Sequence, residues 1–326
     1  MNFKKMMFLM VMMLSTLIVM SSNNWIGMWM GLEINLMSFI PFISEMKNKN
    51  SSQAMMIYFL TQSIGSITMM FSIMMNTLIM INSSFTNEWL NILLMTSLLV
   101  KLGGAPFHMW LPEMMANLKW DQCFILMTWQ KIAPLSIMMN LKPNWFMYTM
   151  MTLSTVMGAI GGLNQTSVRK IMAYSSINHL GWMMALMTKQ VTWYMYMLMY
   201  MMMMIAIWLM FDNIYFMNQF SNSNPSMMEK MMMAISMMSL GGLPPFIGFL
   251  PKFMVIQSMM GSNMMCIMMM SFMSLITLFY YLRMISTIMM NYSTMNKWMT
   301  KKKNNKLWLI LLINISLPVF SILPVF

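Results

Sequence analysis

Charged residues and cysteines are scarce in this chain. Asp, Glu, Lys and Arg together make up 8% of the 326 residues, and only 7 of these side chains are acidic. The two cysteines, Cys123 and Cys266, stand alone in apolar runs, so we expect neither a disulfide framework nor an iron–sulfur site. The sequence also lacks a glycine-rich phosphate loop and a helix with paired histidines. We therefore expect no metal, no cofactor and no redox centre in this chain.

Apolar residues, in contrast, are abundant. They account for 59% of the chain, and the mean hydropathy is +0.65. Repeated apolar runs of about 20 residues are long enough to cross a bilayer as helices, which predicts an all-α polytopic membrane protein. The net charge of +12 does not indicate a nucleic-acid partner, because the basic residues occupy short loops rather than a polar surface with aromatic side chains.

Methionine is unusually frequent, with 63 residues. Its flexible apolar side chain can replace Leu or Ile against lipid and in helix contacts, but packing alone does not explain such an excess. In mitochondrial genetic codes that read AUA as Met, an AT-rich genome converts many Ile positions to Met. The composition therefore favours an organelle genome.

The apolar runs and the loop signals between them predict about eleven transmembrane helices in one membrane domain, residues 1–326. Their expected ranges are 5–21, 25–44, 54–81, 88–107, 121–140, 145–163, 171–188, 191–211, 230–260, 266–290 and 306–324.

Two of these helices contain glycines and prolines that interrupt a helix. The residues are Gly103, Gly104 and Pro106 in GGAPF, and Gly241, Gly242, Pro244 and Pro245 in GGLPPF. Proline lacks a backbone donor, and broken helices at membrane depth line cavities or protein interiors. Aligned from their first glycines, the strings predict two five-helix repeats, about 5–140 and about 145–290, before a C-terminal helix at about 306–324. An odd number of spans inverts the second repeat relative to the first, as in known transporters.

Basic residues indicate the orientation in the membrane. With the N-terminus inside, most of the 19 Lys and Arg residues fall in inside segments, whereas only Lys142 and Lys189 fall in outside loops. Lys and Arg favour the side on which the ribosome works. For an organelle-encoded protein this places the N-terminus on the matrix side.

Four ionisable residues fall inside the expected helices: Glu33, Lys101, Lys131 and Lys252. Such a group near the bilayer centre costs about 2.5–3.5 kcal/mol on insertion scales, so it usually belongs to an ion or proton pathway. Glu33 and Lys131 lie near the midpoints of their helices, about 15 Å from either end. Burial disfavours a charged form and a nearby opposite charge favours it, so a chain of such groups takes up and releases protons in response to small movements.

Structural explanations for these four residues remain open. A buried ion pair that holds helices together would account for Glu33 and Lys131. Snorkelling of the flexible stem toward the membrane interface would account for Lys101 and Lys252, which flank the two breaks.

Two histidines are weaker candidates, and Arg283 is assigned no role. His108 lies just beyond the first break and His179 lies mid-helix in YSSINHLGWMM; a histidine can relay protons, but a structural hydrogen bond explains a lone membrane histidine equally well. For Arg283 we expect only pairing with a lipid or a loop carboxylate.

Five strings, found in order between about residues 25 and 290, resemble one known family: WMGLEINLMSFIP, LVKLGGAPFHMWLPE, LMTWQKIAPLSIM, GGLNQTSVRKIMAYSSINHLGWM and GGLPPFIGFLPKF. They are similar to the chain 2 family of antiporter-like subunits of mitochondrial NADH:ubiquinone oxidoreductase, respiratory complex I. By this resemblance Glu33 and Lys101 look like the family's glutamate–lysine pair, Lys131 like its central lysine, and Lys252 like the lysine of the second broken helix.

The resemblance implies proton movement along a central polar axis, driven by electron transfer from NADH to ubiquinone in other subunits. NADH, FMN, iron–sulfur clusters and ubiquinone are then expected in those other subunits. The implied partners are neighbouring antiporter-like and small membrane subunits and phospholipids including cardiolipin, in the mitochondrial inner membrane. Two alternatives remain: a standalone cation/proton antiporter, which needs the same buried lysines, and a structural membrane scaffold.

Overall fold

The computed structural model describes residues 3–44, 49–78, 85–211, 227–261, 263–290 and 314, and within these ranges it contains helices and no β-strand. The helices are α1 (Phe3–Ser21), α2 (Trp25–Ile43), α3 (Lys49–Leu78), α4 (Phe85–Leu102), α5 (Trp110–Asn117), α6 (Trp120–Met127), α7 (Trp129–Met139), α8 (Trp145–Leu163), α9 (Val168–Thr188), α10 (Trp193–Phe211), α11 (Met227–Gly241), α12 (Phe249–Met259) and α13 (Met264–Met290). The helix expected at 306–324 lies outside the described residues, apart from Asn314.

The chain forms two compact units, Met1–Leu153 and Ser154–Phe326. The boundary lies inside α8, close to the point where the sequence separates the two expected repeats.

Six helices of the described part are long and apolar enough to cross a bilayer: Phe3–Ser21, Trp25–Ile43, Lys49–Asn76, Trp145–Leu163, Trp193–Met210 and Met264–Met290. Several of the other expected spans are divided into shorter helices. α9 is not among the six for a different reason. It is 21 residues long, but it carries basic and polar residues and is buried along almost its whole length. A helix surrounded by protein on all sides does not need an apolar surface for lipid.

In the first unit the helices pack as neighbours along the chain, with α1 against α2, α2 against α3, and α3 against α4 and α5. α7 packs against α1, α2, α4 and α6. Gly31 allows the close approach of α1 and α2, because a Cβ at this position would lie 2.5 Å from Val19 Cγ2 and 3.3 Å from the Ser15 carbonyl oxygen. Small residues permit such backbone contact between membrane helices.

In the second unit α9 contacts α10, α12 and α13, while α11 packs against α10 and α13. Gly158 of α8 lies against the backbone of α9, where an added Cβ would be 2.6 Å from the Asn178 nitrogen. Arg283 of α13 donates hydrogen bonds to the carbonyl oxygens of Leu163, Gly162 and Gln165, at the end of α8. These are helix-terminal carbonyls, which have no partner within their own helix, and pairing of Arg283 with a lipid or a loop carboxylate stays a prediction.

The helix expected at 121–140 is interrupted at Thr128, which the sequence interpretation missed. The Thr128 hydroxyl donates back to the Phe124 carbonyl oxygen at 2.6 Å, and a separate helix, α7, starts at Trp129. Such back-bonding bends helices, and Pro134 removes one further backbone donor from α7. The expectation that Lys131 lies at the middle of one continuous helix was wrong, because it is the third residue of α7.

Candidate functional site

The two predicted helix interruptions have the same local backbone geometry. α4 ends at Leu102 and is followed by Gly103 with φ +70°, and α11 ends at Gly241 and is followed by Gly242 with φ +79°. In the first break the N–H groups of residues 103 and 104 donate to the carbonyls of residues 100 and 99; in the second, those of residues 242 and 243 donate to residues 239 and 238. A left-handed glycine with this pair of hydrogen bonds is the Schellman ending of a helix.

This geometry corrects the alignment of the two strings. Gly103 matches Gly242 rather than Gly241, because these two glycines occupy the left-handed position. In that register Trp110 and Phe249 both begin the helix after the break, and the strings WLPE (110–113) and FLPK (249–252) coincide. Lys252 therefore corresponds in position to Glu113, and the first break has its lysine on the preceding helix instead.

Lys101 lies in the last turn of α4, only 7% exposed. Its stem packs on Gly65 of α3, where an added Cβ would be 2.9 Å from Lys101 Cγ. The Gln62 amide donates to the Lys101 carbonyl oxygen at 3.1 Å, so α3 also binds the backbone that precedes the break. Gly65 and Gln62 of α3 thus contact the stem and the backbone of Lys101.

Glu33 of α2 is half-buried, and its carboxylate acts electrostatically on both Lys101 and Tyr58. Its buried Oε1 makes no hydrogen bond within the described part of the chain. α3 packs against both α2 and α4, the helices that carry Glu33 and Lys101. The direct pairing of Glu33 with Lys101 stays a prediction.

Lys101 and Lys131 line the same small cavity of the first unit. Lys131 is 2% exposed, and the cavity has about 20 Å³ open to the centres of water-sized molecules. Its polar lining also includes Asn35, Tyr58, Gln62 and Gln130. One water needs about 10–15 Å³ of such space and two to four polar partners, so the cavity is large and polar enough for about one water molecule.

Lys252 of α12 turns back to the second break. Its Nζ donates to the Gly241 carbonyl oxygen at 2.6 Å and lies 6.0 Å from the centre of the Trp182 ring. The side chain is 6% exposed, and a Cβ at Gly242 would be 2.8 Å from Lys252 Cδ. The ammonium thus binds the last carbonyl of α11, where a helix attracts cations.

The two histidines lie in different settings. His108 is in the turn after the first break, where its Nδ1 is 3.2 Å from the Pro106 carbonyl oxygen. His179 is buried in α9, with its Nδ1 2.9 Å from the Tyr196 hydroxyl and its ring 5.0 Å from that of Tyr200. A purely structural histidine would form the same kind of hydrogen bond.

Sequence reasoning missed four neutral polar residues at the cavity: Asn35, Tyr58, Gln62 and Gln130. Gln130 Nε2 donates to Asn35 Oδ1 at 3.0 Å, and the Tyr58 hydroxyl donates to Gln130 Oε1 at 3.4 Å. The available signal was their position in otherwise apolar helices, since interhelical hydrogen bonds are a common role of amides in membranes.

Comparison with known proteins gives consistent relationships. Residues 22–277 match the family model described as NADH:quinone oxidoreductase/Mrp antiporter, transmembrane. The chain is 47% identical to NADH-ubiquinone oxidoreductase chain 2 of Anopheles gambiae over 312 residues, covering 92% of this chain and 90% of the relative. It is 40% identical to the protein of the same name from Locusta migratoria over 334 residues, covering 99% and 94%.

Solved structures show the same fold at low sequence identity. A chain of respiratory complex I from Thermus thermophilus matches with a TM-score of 0.83 at 18% identity, covering 98% of this chain and 77% of the other. A chain of the Mrp complex from Dietzia matches with a TM-score of 0.76 at 13% identity, covering 86% and 60%. On the family match and the identities to its relatives, the chain belongs to the NADH:quinone oxidoreductase/Mrp antiporter family, among the members named NADH-ubiquinone oxidoreductase chain 2.

Proposed function

We propose that the chain is a membrane-arm subunit of mitochondrial complex I and takes part in moving protons across the inner membrane while other subunits transfer electrons from NADH to ubiquinone. The observation that carries this proposal is the cavity lined by both Lys101 and Lys131. Two ammonium groups at one site repel each other, and burial disfavours both charges, so arrangements in which only one lysine is protonated are favoured. A proton can then move between them.

The proposed relay consists of Glu33, Lys101 and Lys131 in the first unit and Lys252 in the second. Glu33 supplies the negative charge that acts on Lys101, and Lys252 binds the break of α11. His108 and His179 are secondary candidates, because each has a hydrogen-bonding partner but neither lines the Lys101–Lys131 cavity. The breaks at Gly103, Gly104 and Pro106 and at Gly241, Gly242, Pro244 and Pro245 provide the non-helical backbone near the lysines.

The membrane topology belongs to the same proposal. About eleven spans, an N-terminus on the matrix side and two inverted five-helix repeats follow from the apolar runs and the loop charges. The matching Schellman endings at Gly103 and Gly242 support a duplication. The helix at about 306–324 would complete the set of spans.

The proposed partners are the neighbouring antiporter-like and small membrane subunits, with phospholipids such as cardiolipin around the apolar helices. NADH, FMN, the iron–sulfur clusters and ubiquinone would bind to other subunits. The relatives' names and the complex I structure support this assignment. A standalone cation/proton antiporter is the second candidate, supported by the likeness in fold to a chain of the Mrp complex.

Native electrophoresis of solubilised inner membranes separates these candidates. We expect the chain, detected by an antibody, to migrate in a large assembly that stains for NADH dehydrogenase activity. Migration as a small species without that activity would favour the standalone antiporter. A scaffold would also migrate in the large assembly, but it predicts that Lys131→Met leaves proton pumping by the purified, reconstituted complex unchanged.

A further inference from the structure

Gln130 connects several helices at the cavity that both lysines line. It immediately precedes Lys131 in α7 and contacts Asn35 of α2, Tyr58 of α3 and Met12 of α1, whose sulfur is 3.1 Å from Gln130 Nε2. Asn35 and Tyr58 are each 3% exposed. One amide therefore holds side chains from three other helices next to the residue that would receive the proton.

The directions of these hydrogen bonds determine which donors and acceptors face the cavity. The Tyr58 hydroxyl donates its only proton to Gln130 Oε1, so toward the cavity it keeps acceptor lone pairs. Gln130 Nε2 is directed to Asn35 Oδ1 and fixes the orientation of that amide. The Gln130 amide does not titrate near neutral pH, so it cannot itself take the transferred proton.

We infer that Gln130 is a positioning residue for proton transfer between Lys101 and Lys131: it holds the Tyr58 hydroxyl as an acceptor beside a cavity that binds one bridging water. This inference rests on the proposed function. In the step, the Lys101 ammonium gives a proton to the water while the water gives one to the neutral Lys131 amine. Lys101 ends neutral, Lys131 ends as an ammonium, and the water is regenerated.

A purely structural role for Gln130 makes a different prediction. In that case the amide only joins helices, as Gln122 does when it donates to the Ile43 carbonyl oxygen at 3.2 Å and the Phe42 carbonyl oxygen at 3.4 Å. Gln122 is buried in α6 and does not line the cavity. Gln122→Met is therefore a matched control, because it removes a buried amide from the same unit without changing the cavity wall.

The test uses the intact, purified complex in vesicles, with proton pumping and NADH:ubiquinone turnover measured across a pH series. We expect Gln130→Met to slow coupled turnover roughly five- to tenfold, as loss of about one hydrogen bond in the transfer step does, and to displace its pH profile. Tyr58→Phe keeps the ring and removes only the hydroxyl, so it should displace the profile in the same direction. Gln122→Met should leave the profile in place.

The experiment distinguishes failure of the Gln130 inference from failure of the proposed function. If Lys131→Met impairs pumping while Gln130→Met and Tyr58→Phe retain the wild-type rate and pH profile, the inference is wrong and the proposed function stands. If Lys131→Met itself has no effect, the proposed relay is wrong. If Gln130→Met does not assemble, the pH profile of Tyr58→Phe tests the inference in its place. A displaced pH profile in Gln122→Met would contradict the inference, because any loss of a buried amide would then produce the effect.

Discussion

Replacing Lys252 with Met tests whether this side chain holds the second helix break in its observed geometry. Met has a similar length and an apolar stem, so the packing against Gly242 should be retained, while the ammonium is lost. The lost contact is the hydrogen bond of 2.6 Å from Lys252 Nζ to the Gly241 carbonyl oxygen. A hydrogen bond to a charged group contributes about 1.5–3 kcal/mol.

The expected change is local. The N–H groups of Gly242 and Leu243 donate to the carbonyls of Ser239 and Met238, and both hydrogen bonds belong to the ending that Lys252 binds. Because each 1.36 kcal/mol corresponds to a tenfold change in an equilibrium, their protection from hydrogen exchange should fall about 10- to 150-fold. The total free energy of unfolding is a poor measure here, since removing a buried charge offsets part of the loss.

The assay is hydrogen exchange followed by mass spectrometry on the intact complex, on peptides that cover the second break. Lys230→Met is the matched control, because Lys230 is an equally buried lysine near the other end of α11, 8% exposed. Lys230→Met should leave hydrogen exchange at Gly242 unchanged. Lys252→Met should leave hydrogen exchange at the amides of the first break unchanged. Unchanged exchange at Gly242 and Leu243 in Lys252→Met would show that the ammonium does not hold the second break.

Three further substitutions test the rest of the interpretation. Lys131→Met should preserve assembly on native gels but strongly reduce proton pumping and coupled turnover, because the titratable group disappears while the apolar length stays; wild-type pumping would remove Lys131 from the relay. Glu33→Gln should reduce turnover more than Glu33→Asp, because only Asp keeps the negative charge that acts on Lys101; equal turnover in both variants would exclude a role for this charge. Gly158→Ala should destabilise the second unit by about 1–3 kcal/mol through overpacking against α9, measured as loss of the assembled complex at a lower temperature. Gly241→Ala should be close to neutral, because its added Cβ would have its nearest neighbour at 3.7 Å.

Much of the fold could be predicted because local sequence patterns carry it. Runs of about 20 apolar residues predict spanning helices, and the cost of an ionisable group in the bilayer marks Lys101, Lys131 and Lys252 as unusual. The short glycine and proline strings indicate where two helices are interrupted, since proline and glycine act through their own backbone. These signals need no knowledge of neighbouring helices.

The backbone geometry of the interruptions could not be predicted in full from the sequence. The strings alone align the first glycines, Gly103 with Gly241, whereas the structure matches Gly103 with Gly242, the residues with positive φ. The interruption at Thr128 was missed because no glycine marks it; the Thr128 hydroxyl binds the Phe124 carbonyl oxygen there. Threonine is common in helices, so its presence alone does not predict a break.

The amino-acid sequence alone predicts a helical, apolar chain, marks the residues that are rare in a membrane helix and identifies the family. Tertiary structure alone decided that Lys101 and Lys131 line one cavity and that Gln130 joins it to Tyr58 and Asn35. It also decided that Lys252 binds the end of α11. An apolar pattern shows which residues avoid water, whereas a hydrogen bond or a shared cavity depends on the packing of helices that are far apart in the chain.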